Sequence, residues 1–240
     1  MTKRTKQQIA FFVLRFLGLL VVAILCWILG FIIYNGIGVI NWTFLTAAPT
    51  EGMTSGGIFP AIVGTLCLVA GSVIIAFPIG VMSAIYMNEY AGNGKIVKFI
   101  RMMTNNLGSI PSIVFGLFGM SLFVNTMGFG DSILAGACTL GLLVLPLIIR
   151  TTEEALKAIP DSFRTGSLAL GASKLQTIRR VTLPMAFPHI ITGLILSTGL
   201  AAGETAPILF AVAAYFLPNL PNSIVDQVMA LPYHLYVISN

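Results

Sequence analysis

Charge is what this sequence has least of. Asp, Glu, Lys and Arg make up 9% of its 240 residues, where a soluble domain carries about 25%. A fold with an ordinary polar shell is therefore excluded. Cysteine is nearly absent, and Cys26, Cys67 and Cys138 all lie inside apolar runs. An odd count without a spacing pattern excludes a disulfide framework, so these read as small packing residues. The two histidines, His189 and His234, stand in no metal-ligand or nucleophile spacing, which leaves no catalytic centre to assign. Gly92-Asn-Gly-Lys95 has the look of a phosphate loop. It lacks the spacer between the glycines, and Ile96 stands where Ser or Thr is required.

Basic residues are missing from long intervals. No Lys or Arg falls between Phe16 and Gly94, between Met102 and Ile149, or after Arg180. All thirteen sit in three clusters: Lys3, Arg4, Lys6 and Arg15; Lys95, Lys98 and Arg101; Arg150, Lys157, Arg164, Lys174, Arg179 and Arg180. The net charge of +5 is therefore not a nucleic-acid surface. Clusters alternating with uncharged loops form the positive-inside pattern, which puts the N-terminus in the cytoplasm.

What is present is apolar: 57% of residues. A bilayer crossing needs about 20 such residues in a row, and five runs qualify. The expected fold is an all-α polytopic membrane protein. Residues 1–15 form a cytoplasmic segment, and 16–56 hold the first span (Phe16–Val39) and an external loop. That run is too long for the core of a cleaved signal peptide, about 7–15 residues. A core over 57–217 contains the other spans: Ile58–Met87 (longer than the hydrocarbon core needs, so tilted, kinked at Pro78 or projecting beyond the membrane), Asn105–Val124, Asp131–Arg150 with Asp131-Ser132 as cap, and Phe187–Leu217. Between the second and third lies a basic amphipathic helix whose apolar face is Ile96, Phe99, Ile100 and Met103. Residues 218–240 are external, with Ile224, Val228 and Leu231 on one side of a short helix.

Three features carry function. Asn105, Ser109, Ser112, Gly116 and Gly119 recur at helical spacing and fall on one face of the third span. That face is either a small-residue packing surface or a polar stripe along a solute path. Glu204, in Gly203-Glu-Thr-Ala-Pro207, is the one acid deep in an apolar run. Gly193, Ser197 and Ala201 share its helical face. An acid at such depth is either part of a transport path or gate, or a buried structural group. The loop 151–184 is the longest polar interval. Asp161 caps a first short helix, Gly171 ends it in the left-handed conformation, and Ser173 with Gln176 forms the capping box of a second helix, which Pro184 stops or kinks. Two short helices between spans make a rigid knob.

Four stretches resemble the membrane-spanning permease subunits of bacterial ABC importers, of the phosphate-uptake, PstA-like type. They are Thr165-Gly-Ser167 followed by Gly171, Val181 and Leu183-Pro184; Met185–Leu194 running into Gly203-Glu-Thr-Ala-Pro207; Ile110-Pro-Ser-Ile-Val-Phe-Gly116; and Asn88-Glu-Tyr-Ala91. The resemblance implies a type I ABC importer fold. It also implies a second related permease subunit, two ATPase subunits that hydrolyse ATP, and an external phosphate-binding protein; no cofactor is bound by this chain. It makes Leu168, Leu170, Gly171, Ala172, Ser173 and Gln176 the ATPase contact, and Asn105, Ser109, Ser112, Ser197, Glu204 and Thr205 the transport path. Another oxyanion as solute, or an ion-coupled secondary transporter with Glu204 as proton site, are the other readings.

The sequence departs from this pattern in two places. Thr165 stands where the loop motif begins with Glu, and Leu200 stands where many phosphate permeases carry Arg. With no basic residue expected inside the spans, a charge partner for Glu204 is expected from the second permease subunit. Five spans are visible, and a sixth is expected beyond Asn240, so the sequence is expected to be a piece lacking its last helix.

Overall fold

The computed structural model describes residues 3–53, 55–92 and 94–239. It divides into two units, residues 1–47 and 48–240. The first unit is α1 (Lys3–Gly36) followed by the short α2 (Trp42–Thr46). None of the apolar window in α1 is buried, and Trp27 and Tyr34 are fully displayed. A helix apolar on all sides is built for lipid or for other helices. Cys26 is exposed on it rather than packed. Asn41 caps α2, its side-chain oxygen accepting from Phe44 N at 2.7 Å.

The second unit opens with a small antiparallel pair, β1 (Pro49–Thr50) with β2 (Ser55–Gly56). Its helices are α3 (Phe59–Ile85), α4 (Lys95–Leu107), α5 (Ser112–Gly119), α6 (Ile133–Lys157), α7 (Asp161–Ala169), α8 (Lys174–Thr177), α9 (Leu183–Gly203), α10 (Ala206–Ala211) and α11 (Leu231–Ser239). Wide π-turns extend three of them: Tyr86–Tyr90 after α3, Met120–Thr126 after α5, and Ile178–Thr182, which joins α8 to α9 without a break. Helix α6 is the central post and the most buried of the long apolar helices. Small residues let α3 lie against it: a Cβ on Gly80 would come within 2.6 Å of Ile148, and one on Gly71 within 2.8 Å of Ala137. Between apolar helices in lipid, such close approach is the main source of cohesion. Val69, Ala76, Val144, Ile148 and Ala201 form the core where α3, α6 and α9 meet.

Among the described residues, four helices are long and apolar enough to cross a membrane: Gln7–Gly36, Phe59–Tyr90, Ile133–Lys157 and Lys174–Gly203. A fifth crossing exists only as a bent pair, Lys95–Leu107 and Ser112–Thr126, meeting at 101°. The expected straight helix over Asn105–Val124 is thus replaced by a break at residues 108–111. The expected fifth run also differs. Its helix starts at Lys174 and ends at Gly203, where Glu204 turns to extended backbone (φ −75°, ψ 133°).

Both breaks have the same cause. A proline in a continuing helix clashes with the carbonyl four residues earlier and removes its hydrogen bond. Four residues before Pro111 is Leu107, the last residue of α4; four before Pro207 is Gly203, the last of α9. Glycine at or beside each end, Gly108 and Gly203, eases the turn. Pro184 instead lies just past a π-turn and does not stop the helix.

No helix spans Ile224 to Leu231. That segment pairs in extended form, Val228 bridging to Ala213, and its carbonyls cap the start of α6. Ile133 N donates to Asp226 O at 2.9 Å and Leu134 N to Ile224 O at 2.9 Å. Ser132 adds the expected side-chain cap, accepting from Ala135 N.

Candidate functional site

The two breaks lie at one cavity of about 410 Å³. Asn105, Ser109, Ser112 and Glu204 line it, together with Thr104, Leu143, Leu147, Arg150 and Leu200. The polar residues therefore meet, though not through a shared helical face: Asn105 lies in the last turn of α4, Ser109 sits in the turn between the helices, and Ser112 begins α5. Non-helical backbone at membrane depth is tolerated only where it is buried in protein or lines a water-filled cavity, because lipid cannot satisfy its polar groups. A neighbouring cavity of about 430 Å³ on the other side of the break is lined by Leu107, Val114, Phe118, Leu142, Leu145 and Ile149, with Thr104 its one polar side chain. It offers an anion almost nothing, so the first cavity is the candidate path.

Helix α10 brings its first turn against α5. A Cβ on Gly116 would meet the Ala206 carbonyl at 2.8 Å, so glycine is what lets the two broken helices touch. Glu204 is half-buried at the cavity and has no hydrogen-bond or ion-pair partner among the described residues. Ser197 and Thr205 do not line the cavity. Ser197 is buried and donates to Gly193 O at 2.8 Å, on the stripe by which α9 packs. Thr205 precedes α10, its carbonyl accepting from Leu209 N.

Sequence reasoning missed Arg150. Helix α6 runs on to Lys157, so Arg150 belongs to a long apolar helix and lines the cavity after all. The expectation set Arg150 at the cytoplasmic end of the fourth span, and the structure adds that this residue borders the cavity. Its guanidinium is paired with Glu154 at 3.0 Å, and both side chains are mostly exposed. The i,i+4 spacing of the two was the signal available.

The knob stands as expected in two respects. Gly171 has φ +85°, a conformation that favours glycine. Ser173 and Gln176 form a complete capping box, with Gln176 N to Ser173 Oγ at 3.3 Å and Ser173 N to Gln176 Oε1 at 2.8 Å. It differs in two others. Asp161 is the first helical residue and makes no capping bond; its carboxylate accepts from Arg164 Nη1 at 3.0 Å. The second helix is not separate, since α8 continues into α9. Leu170 is 91% exposed, and Leu168, Gly171, Ser173 and Gln176 are also exposed, with Ala172 half-buried. The knob thus displays apolar side chains, Leu168 and Leu170, on a capped loop.

Arg164 holds the knob to the rest of the unit. Its Nε and Nη2 donate to Glu89 Oε1 at 3.2 and 3.1 Å, Nη2 to Leu156 O at 2.7 Å, and Nη1 to Ile159 O at 2.9 Å. The side chains are 16% and 8% exposed. A second pair, Arg101 and Glu153, approaches to 2.6 Å as close charges rather than a well-directed hydrogen bond.

Residues 76–226 match the family described as binding-protein-dependent transport system inner membrane component. The phosphate transport system permease protein PstA of Mycobacterium leprae is 36% identical over 241 residues, covering 98% of this chain and 78% of that protein. The probable ABC transporter permease protein YqgI of Bacillus subtilis is 36% identical over 210 residues, covering 88% and 71%. Among solved structures, a chain of the MetNI methionine ABC transporter in inward-facing form superposes with a TM-score of 0.50 at 26% identity, covering 61% of this chain and 70% of that one. The chain is a multi-pass membrane protein that belongs to the binding-protein-dependent transport system inner membrane components, among the PstA-like ABC permeases.

Proposed function

We propose that this chain is a membrane-spanning subunit of an ATP-driven phosphate importer. The observation that carries the reading is the meeting of Asn105, Ser109, Ser112, Arg150 and Glu204 at one cavity between two broken helices, in a chain similar to PstA proteins. Hydroxyl, amide and guanidinium donors can replace the water around an oxyanion, while Glu204 accepts from a protonated one. ATP is hydrolysed by two partner ATPases that grip the knob through Leu168, Leu170, Gly171, Ala172, Ser173 and Gln176. A second permease subunit completes the path, and an external binding protein delivers the solute. The N-terminus lies in the cytoplasm, on the side of the knob, since all three basic clusters then face inward.

The reading is tested in cells lacking their own phosphate uptake system. Expression of this chain, in full length with its neighbouring subunits, is expected to restore uptake of labelled phosphate, with sulfate and molybdate as poor competitors. Strong competition by either would make another oxyanion the solute. Leu170→Asp, at an exposed position, is expected to release the ATPase on co-purification. Normal co-purification and transport would place the docking surface elsewhere.

A further inference from the structure

We propose that the π-turn Tyr86–Tyr90 at the knob end of α3 is the transmission point between the knob and the cavity wall, with Glu89, Arg164 and Arg101 as its positioning residues. The proposal rests on the functional reading above, in which the knob is pushed by an ATPase and the cavity is the path.

Cations from three separate segments converge on this one turn. Arg164 of α7 binds Glu89 through Nε and Nη2. The Lys174 ammonium of α8 lies 4.9 Å from the centre of the Tyr90 ring. Arg101 of α4 donates from Nη2 to Met87 O at 3.2 Å and pairs with Glu153 of α6. Lys157 reaches the same Glu153 oxygen at 3.2 Å. Three segments, α4, α7 and α8, are thus fastened to the last turn of α3, and α4 is fastened also to the α6 carboxylate beside it.

The other end of α4 reaches the cavity. Thr104 and Asn105 lie one helical turn beyond Arg101 and line it. Helix α4 is therefore held by the hub at Arg101 and forms the path wall about a turn later. A push on the knob reaches Glu89 through Arg164, and the turn hands it to α4 through Met87 and Arg101. A π-turn suits this role. It closes with i→i+5 bonds, as Ala91 N to Tyr86 O does here at 3.0 Å, and such turns recur at functional sites inside helices. It can shift register without unravelling the helix behind it. Arg164 uses the planar fork that lysine lacks, addressing Glu89, Leu156 O, Ile159 O and Asp161 together.

A competing route exists in the same molecule. Helix α6 runs directly into α7 through Pro160 and lines the cavity by itself at Leu143, Leu147 and Arg150. Transmission along α6 alone needs neither Glu89 nor Arg101, so the two routes separate experimentally.

The experiment uses the assembled transporter in vesicles, with Ser109→Cys as reporter and Cys26, Cys67 and Cys138 replaced by alanine. The rate at which a charged thiol reagent modifies residue 109 is read with and without vanadate-trapped ATP. In this reference complex, trapping is expected to change the rate about fivefold or more. With Glu89→Gln, and separately with Arg101→Gln, the ATPases are expected to stay bound and active while the change shrinks below about twofold. Glu89→Asp, which keeps the charge, is expected to recover part of it. A merely structural role would lower yield but leave the ratio in the surviving complex untouched. If Glu89→Gln does not assemble, Arg101→Gln decides. Full response to trapping in either assembled variant overturns the hub and leaves α6 as the route. A reference complex that binds no ATPase overturns the underlying functional reading instead, and the hub with it.

Discussion

The knob end and the cavity of the second unit handle charge in opposite ways. At the knob end, Glu89, Glu153, Arg101 and Arg164 are largely withdrawn from solvent and each has an opposite charge within 3.2 Å. At the cavity, Glu204 has no partner among the described residues, and Arg150 has only the exposed Glu154. The backbone follows the same division. At the knob end α8 runs on into α9 through a π-turn despite Pro184, whereas α4 and α9 stop at Leu107 and Gly203 around the cavity. Force needs a stiff region to act on, and a solute needs unsatisfied groups to bind. The difference shows one chain supplying both on adjoining stretches of α6, with Leu143, Leu147 and Arg150 at the cavity and Glu153 and Lys157 at the knob end.

This comparison is broken most severely at Arg164. Removing it leaves the Glu89 carboxylate nearly buried without its cation, and takes a donor from the carbonyls of Leu156 and Ile159. Breaking such a pair costs about 3–5 kcal/mol. Arg164→Ala is expected to lower the thermal midpoint of the purified complex and its yield together, with Glu89→Gln milder because it removes the charge and keeps a carbonyl oxygen that can accept from Arg164. A variant as stable as the parent would mean that the two ends do not differ in the way described. Glu204→Gln is expected to do the reverse. Uptake should fall at least tenfold, about 1.4 kcal/mol of transition-state stabilisation, while the midpoint stays put because no partner is lost. A loss of stability without a loss of uptake would make Glu204 a structural acid.

How much of this was legible in the sequence follows the range of the forces involved. The capping box at Ser173, the left-handed Gly171 and the Ser132 cap are set by residues within three positions of one another, and all three stand. The amphipathic helix is there too, over Lys95–Leu107, with Ile96, Phe99, Ile100 and Met103 exposed together. The periodicity that joined Asn105 to Gly119 failed because it was counted through Pro111. Asn105, Ser109 and Ser112 line one cavity nonetheless, brought there by a bend instead of a shared face. Prolines alone would not have revealed the breaks, since Pro78, Pro146 and Pro188 lie inside unbroken helices. Proline three or four residues after glycine marks both. The Arg164–Glu89 contact joins residues 75 positions apart, and no local pattern announces it.

The smallest effect concerns the pair that resembles the knob contacts in kind but not in setting. Arg150 and Glu154 are 66% and 62% exposed, so their ion pair is worth only about 0.3–0.5 kcal/mol. Glu154→Gln should leave the thermal midpoint unchanged within error. It also frees the Arg150 guanidinium, which already borders the cavity, from its one anionic neighbour. Apparent affinity for the solute anion should then improve slightly, by no more than about twofold, and the gain should fade with added salt, because exposed charges are screened beyond about 10 Å at ordinary ionic strength. Arg150→Gln supplies the control: a weaker affinity there, with stability again intact, assigns the charge to the solute. If Glu154→Gln instead destabilises the protein as Arg164→Ala does, Arg150 is a structural strut, and the division between a fastened end and an open one no longer follows burial.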